Sequence, residues 1–117
     1  MFVVYSFYFS NGLPVFQTFG PFASASAAEG WVAAQTNPAN YLVASAWNPT
    51  PAVAGGPLSP ATVAVGQWVV GFVGTNLNGT FTVLFYGGFV SQQTAMTYQA
   101  TLFPPTSYGV SQVIAPA

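Results

Sequence analysis

Glu29 is the one side chain in this 117-residue sequence that could work as an acid or base near neutral pH, because the chain contains no Asp, Lys, Arg, His or Cys. General acid–base hydrolysis needs two tuned groups, and a serine or threonine nucleophile needs a base within hydrogen-bond reach. A tyrosinate or the α-amino group would be the only substitutes, and no spacing in the sequence brings either to a hydroxyl. The expectation is a non-enzymatic protein without metal or cofactor. A structural role accounts for the lone carboxylate: Ser26 and Glu29 form an S-x-x-E pattern. This reads as a capping box, with Ser26 as N-cap and the anion of Glu29 in the first helical turn.

Binding chemistry is narrowed in the same way. Nucleic-acid affinity comes mainly from cationic side chains that neutralise phosphates, and there are none here, so nucleic acid is excluded as a partner. Gly66, Gly71 and Gly74 lie in a strand-like run and do not open a helix, so they make no dinucleotide fingerprint. Asn78-Gly79-Thr80 matches a glycosylation sequon but reads first as a turn. Trp31, Trp47 and Trp68, with the tyrosines, Asn and Gln, could stack on and hydrogen-bond a neutral glycan. The competing reading is that aromatics at alternating positions form core or interface.

The elements that must carry these residues are mostly strands. Residues 2–9 and 13–19 are rich in β-branched and aromatic residues and flank Asn11-Gly12, the sequence of a type I′ hairpin turn. Pro14 cannot donate to a ladder, which places the second strand at an edge or makes its start irregular. Ala28, Trp31, Val32 and Gln35 have the i, i+3, i+4, i+7 spacing of one helical face within residues 24–35, and Asn37-Pro38 ends that helix. A third strand follows at 40–47. The sequence thus predicts an α+β fold, mainly antiparallel β, with a β-β-α-β unit at residues 1–47.

Residues 48–60, with four prolines and Gly55-Gly56, read as a connector. A hairpin-rich C-terminal part, 61–117, follows, with strands at 62–73 and 80–86 closed around 76–79. Gly87-Gly88 reads as a bulge or bend, 98–103 as a short strand and 104–117 as a terminal arm. The two Asn-Gly hairpins differ in loop and flank lengths, so no duplication is inferred. One domain spanning 1–117 is expected.

Residues 1–9 lack a basic n-region and run straight into a turn, which favours a strand over a signal peptide. No continuous apolar stretch reaches the ~18–20 residues of a membrane-spanning helix. Membrane is therefore an unlikely partner, with a membrane-inserting hairpin at 62–86 as a third reading.

An ordinary soluble domain is about one quarter charged, whereas here the charged fraction is 1%. Near-zero charge promotes association, and sheet edges lose their usual lysine protection. The expected function is therefore self-assembly by protein–protein interaction, with copies of itself or other structural proteins as partners. The leading form is a virion subunit (phage capsid decoration, cement or tail). The alternatives are an extracellular filament or surface-layer subunit and a carbohydrate-binding module. Candidate interface residues are Trp68, Phe72, Phe85, Phe89 and Tyr108. Contacts without ion pairs should be little affected by salt, or by pH between about 5 and 9.

Overall fold

Each hairpin in this chain is followed by a short helix and a strand that returns to the hairpin's first strand. The computed structural model describes residues 1–49, 58–102 and 104–116. In chain order the elements are β1 (Phe2–Ser10), β2 (Leu13–Phe22), α1 (Ala25–Ala33), β3 (Leu42–Trp47), β4 (Trp68–Thr75), β5 (Phe81–Phe89), α2 (Gln92–Ala100) and β6 (Tyr108–Ile114). A single 3-10 turn precedes β3 at Pro38–Asn40 and another precedes β6 at Pro105–Ser107. The six strands close into a barrel in the order β1-β2-β6-β4-β5-β3. The fold is α+β and mostly antiparallel: β1 pairs with β2 and β3, and β4 with β5 and β6, in antiparallel fashion. The parallel pairs, β2 with β6 and β3 with β5, join the two halves. Closure pairs every strand with two neighbours, although the ladders of β3 are short.

The turns follow the residues that need positive φ. Asn11 and Gly12 take φ 54° and 79°, the pair required by a type I′ turn. Gly79 takes φ 84° in the second hairpin, where Thr80 donates to Asn78 Oδ1 through its N–H (3.2 Å) and its hydroxyl (2.7 Å). Both hairpins break register at the same place, opposite the start of their first strand: between Phe2 and Val4 against Gly20-Pro21, and between Trp68 and Val70 against Gly87-Gly88. The expected irregularity at Gly87-Gly88 is thus present.

Consecutive valines in β1 and β4 are buried on both faces. Val3 and Val69 point into the barrel core, whereas Val4 and Val70 are fully buried outside that core, on the face where α1 and α2 pack. The interior holds Tyr5, Phe16 and Phe85 together with Val63, Val73, Val113 and Ala46. Phe85 meets Tyr5 and Phe16 edge-to-face at centroid distances of 5.1 and 5.2 Å. A six-stranded barrel has little room, and Gly71 and Gly109 provide it. A Cβ on Gly71 would stand 2.7 Å from the Phe16 ring, and one on Gly109 2.6 Å from the Pro14 carbonyl oxygen.

Several expectations are corrected. The N-cap of α1 is Ser24, not Ser26: Ser24 has extended backbone and its Oγ accepts from the Ala27 N–H at 3.1 Å. Ser26 is then the second helical residue and Glu29 the fifth, beyond the free N–H groups of the first turn. Ser24 takes the role because it is the first hydroxyl after β2 ends at Phe22. Residues 98–103 do not begin a strand; Tyr98 lies within α2, capped by Ser91 Oγ accepting from the Thr94 N–H at 3.1 Å. Phe103 lies outside the described residues.

The terminal arm expected at 104–117 is instead largely β6, held between β4 and β2, with Gly109, Ser111 and Val113 inward. Two of those inward residues are small or polar, which hid the alternation. The strand expected at 62–73 starts only at Trp68, after Gly66 at φ 89°. Pro14 lies in β2 before the two-residue ladder with β6, so its missing donor interrupts no parallel pairing there. Of the connector at 48–60, positions 50–57 lie outside the described residues.

The two halves are copies of one plan. From the hairpin turns onward, counterparts stand 67 positions apart: Asn11-Gly12 and Asn78-Gly79, Gly20 and Gly87, Phe22 and Phe89, Ser24 and Ser91, Ala28 and Ala95, Pro38 and Pro105, Tyr41 and Tyr108. Both Ala28 and Ala95 are fully buried where the helices touch the sheet. An aromatic cage anchors each helix. Trp31 lies 5.2 Å from Phe19, 6.0 Å from Phe22 and 5.8 Å from Tyr41. Its counterpart Tyr98 lies 6.0 Å from Tyr86 and 5.3 Å from Phe89.

Candidate functional site

The aromatic core is not sealed at one end of the barrel. β1 pairs with β3 only over residues 2–5, and β3 meets β5 only at Ala46 and Trp47. Beyond those ladders β1 and β5 run on without a strand between them. Phe7, Phe9 and Phe81 occupy that space, with centroid separations of 5.8, 5.9 and 6.0 Å. Phe7 also touches Phe16 at 5.8 Å, so rings run continuously from Phe85 in the interior to the surface. Phe9 is 50% and Phe81 51% exposed, and Leu42, at the start of β3, is exposed too.

The corresponding place in the other half is covered, since the turn at Pro105–Ser107 packs against β2 and β4. The equivalent turn at Pro38–Asn40 makes no contact of comparable extent with β1 or β5. Covering the remaining half of each phenyl ring would contribute on the order of 1 kcal/mol apiece. On the outer face of the first hairpin, Tyr8, Leu13 and Val15 extend this apolar surface.

Two shallow grooves lie on the outside. One, of about 450 Å³, is lined by Ser6, Tyr8, Val15, Phe16 and Gln17. It offers a phenol, a hydroxyl and an amide and no charge. The other, about 410 Å³, lies beside α1 and is lined by Glu29, Val32, Ala33, Pro38, Tyr41, Leu42 and Val43. Its carboxylate has no second acid, imidazole or amine side chain in the chain to work with. No described helix is long and apolar enough to cross a membrane.

The residues expected to form an interface separate into three places. Phe85 is fully enclosed and belongs to the core, where an outer partner cannot reach it. Phe72 and Tyr108 are cross-strand partners on the outer face of β4 and β6, with rings 5.0 Å apart and half-buried. Trp68 is half-buried at the start of β4, and Phe89 is used by the α2 cage. Burial raises the phenol pKa values of Tyr86 and Tyr98, with smaller contributions from Tyr108 to Tyr86 and from Tyr86 and then Tyr108 to Tyr98, and burial alone raises that of Tyr5.

The exposed Phe9 and Phe81 did not emerge from the sequence. They sit at inward positions of their strands, and only the early end of β3 uncovers them. Scans against family models, curated proteins and solved structures found no match for this chain.

Proposed function

We propose that this protein is a non-enzymatic structural subunit that assembles with copies of itself or with other structural proteins through charge-independent apolar contacts. The observation that carries this reading is the open-ended aromatic core at Phe7, Phe9 and Phe81 on a molecule whose only charged side chain is Glu29. An apolar patch of this kind on a surface without charge repulsion favours a protein neighbour. A virion component, such as a capsid, cement or tail subunit, is the preferred setting. Repeated contacts between small β-rich subunits suit such shells, and neutral contacts hold at any ionic strength. An extracellular filament or surface layer would use the same chemistry.

Light scattering over a dilution series tests the assembly. Wild type should associate, and a Phe9→Ser/Phe81→Ser variant that keeps its circular dichroism should do so at least several-fold more weakly. Equal association of the two would remove this patch from the account. Electron microscopy of native material tests the virion setting, which fails if the protein is found only outside particles.

The groove at Ser6, Tyr8 and Gln17 supports a second reading, a neutral glycan stacked on Tyr8 with amide and hydroxyl contacts. Calorimetric titration with neutral oligosaccharides should then show binding that Tyr8→Ala abolishes, while silence in wild type rejects it.

A further inference from the structure

The halves of the barrel meet along two short parallel seams, Thr18 and Phe19 with Val113 and Ile114, and Ala46 and Trp47 with Phe85 and Tyr86. Apart from these seams and the core, each half has its own hairpin, helix, aromatic cage and returning strand. The seams are chemically different. In the first, the buried hydroxyls of Thr18 and Ser111 lie 3.0 Å apart, with the carbonyls of Gln112 and Phe16 accepting from them at 3.0 and 3.2 Å. In the second, Phe85 is registered with Ala46.

Inside the barrel, the N-terminal half projects Tyr5 and Phe16, while the C-terminal half has Gly71 and Gly109 where Phe16 needs space. The counterparts of those glycines in the N-terminal half are Tyr5, which faces Thr18 as Gly71 faces Phe85 in the hairpin register, and Leu42. Two N-terminal halves would therefore place large side chains against Phe16. The N-terminal half thus fits the C-terminal half and is crowded against its own kind.

The hinge between them is short. Ala61 is bonded to the N-terminal half, donating to the Ala46 carbonyl at 2.9 Å and accepting from the Met1 amine at 3.0 Å. Gly66 is bonded to the C-terminal half, donating to the Val113 carbonyl at 2.9 Å. Ala64 is also tied to the C-terminal side, its N–H donating to Gln67 Oε1 at 3.0 Å and its carbonyl accepting from the Gln67 N–H at 3.1 Å, so only Thr62 and Val63 lie between, with the Val63 side chain in the shared core.

We propose that this half-to-half surface is also an interface between copies: the N-terminal half of one chain closes a barrel with the C-terminal half of a second, and the remaining halves close another. The exchanged dimer makes the same seams as the closed monomer, so the two forms differ in hinge conformation and chain concentration, and short hinges favour exchange. This goes beyond the assembly reading, which concerns the outer surface, and each can fail without the other.

The test uses full-length chains, which have no cysteine of their own. Phe19→Cys and Ile114→Cys chains are refolded together at high concentration and oxidised, and Trp47→Cys with Tyr86→Cys reports on the other seam. Registered partners lie within disulfide reach only across a formed seam. Exchange predicts several-fold more heterodisulfide after co-refolding than after mixing chains already folded. Wild-type chains carrying two different tags give a readout free of seam mutations. One tag should recover the other several-fold better after co-refolding than after mixing. Equal recovery in the two treatments would overturn the exchange and, if recovery is substantial, would leave outer-surface association standing.

Discussion

Gly71 shows how a single missing Cβ decides the shape of this interior. Its neighbours at a virtual Cβ are ring carbons of Phe16 at 2.7 Å and Phe85 at 2.9 Å. Gly71→Ala should therefore destabilise by about 1–3 kcal/mol, read as a lower denaturation midpoint with an unchanged slope. Gly109→Ala meets backbone and should cost at least as much. At the helix start, Ser24→Ala should cost about 1 kcal/mol and Ser26→Ala close to nothing; the reverse order would restore the capping box that the sequence suggested. Ser24 and Ser26 both precede an alanine-rich run, and Glu29 at the right distance from Ser26 made the second serine look like the cap, although the strand end at Phe22 favours the first.

The first β-β-α-β unit was legible because its signals agree: Asn11-Gly12 between alternating apolar runs, then a helical face at Ala28, Trp31, Val32 and Gln35. The second unit uses the same geometry with weaker letters. In α2, Gln92 and Thr94 replace two of the four alanines of α1, and in β6 glycine and serine occupy inward positions, so helix and strand looked like strand and arm. Both halves nevertheless keep the aromatics that fasten the helix. Tyr98→Ala should loosen α2 as Trp31→Ala loosens α1, each by about 1–3 kcal/mol, with hydrogen exchange rising first in the helix that lost its anchor. The Thr18–Ser111 pair belongs to the seam between halves. Thr18→Val or Ser111→Ala alone should cost about 1–3 kcal/mol through the polar group left behind. The double variant should cost less than the sum, as a double-mutant cycle would show.

At the scale of the whole molecule, the barrel is two halves of one plan closed on each other, and its ionic economy shapes its response to conditions. Tyr5, Tyr86 and Tyr98 have phenols whose folded pKa values lie above 10.0, first because burial disfavours the anion. A raised folded pKa means that the native state holds these protons more tightly than the unfolded chain. Their contribution is present in full below about pH 10 and is lost as pH rises through the folded values. Stability should thus fall on the alkaline side, with tyrosinate absorbance appearing together with unfolding. Tyrosinate that forms fully while the fold persists would contradict this.

The proposed assembly rests on apolar contact between protein neighbours of a chain with one charged side chain. Sedimentation velocity of the wild-type protein, over a wide dilution range in low and in high salt, addresses it most directly. Association should grow with concentration and be equal or slightly stronger in high salt. A monomer at every concentration, or association that high salt abolishes, would contradict it.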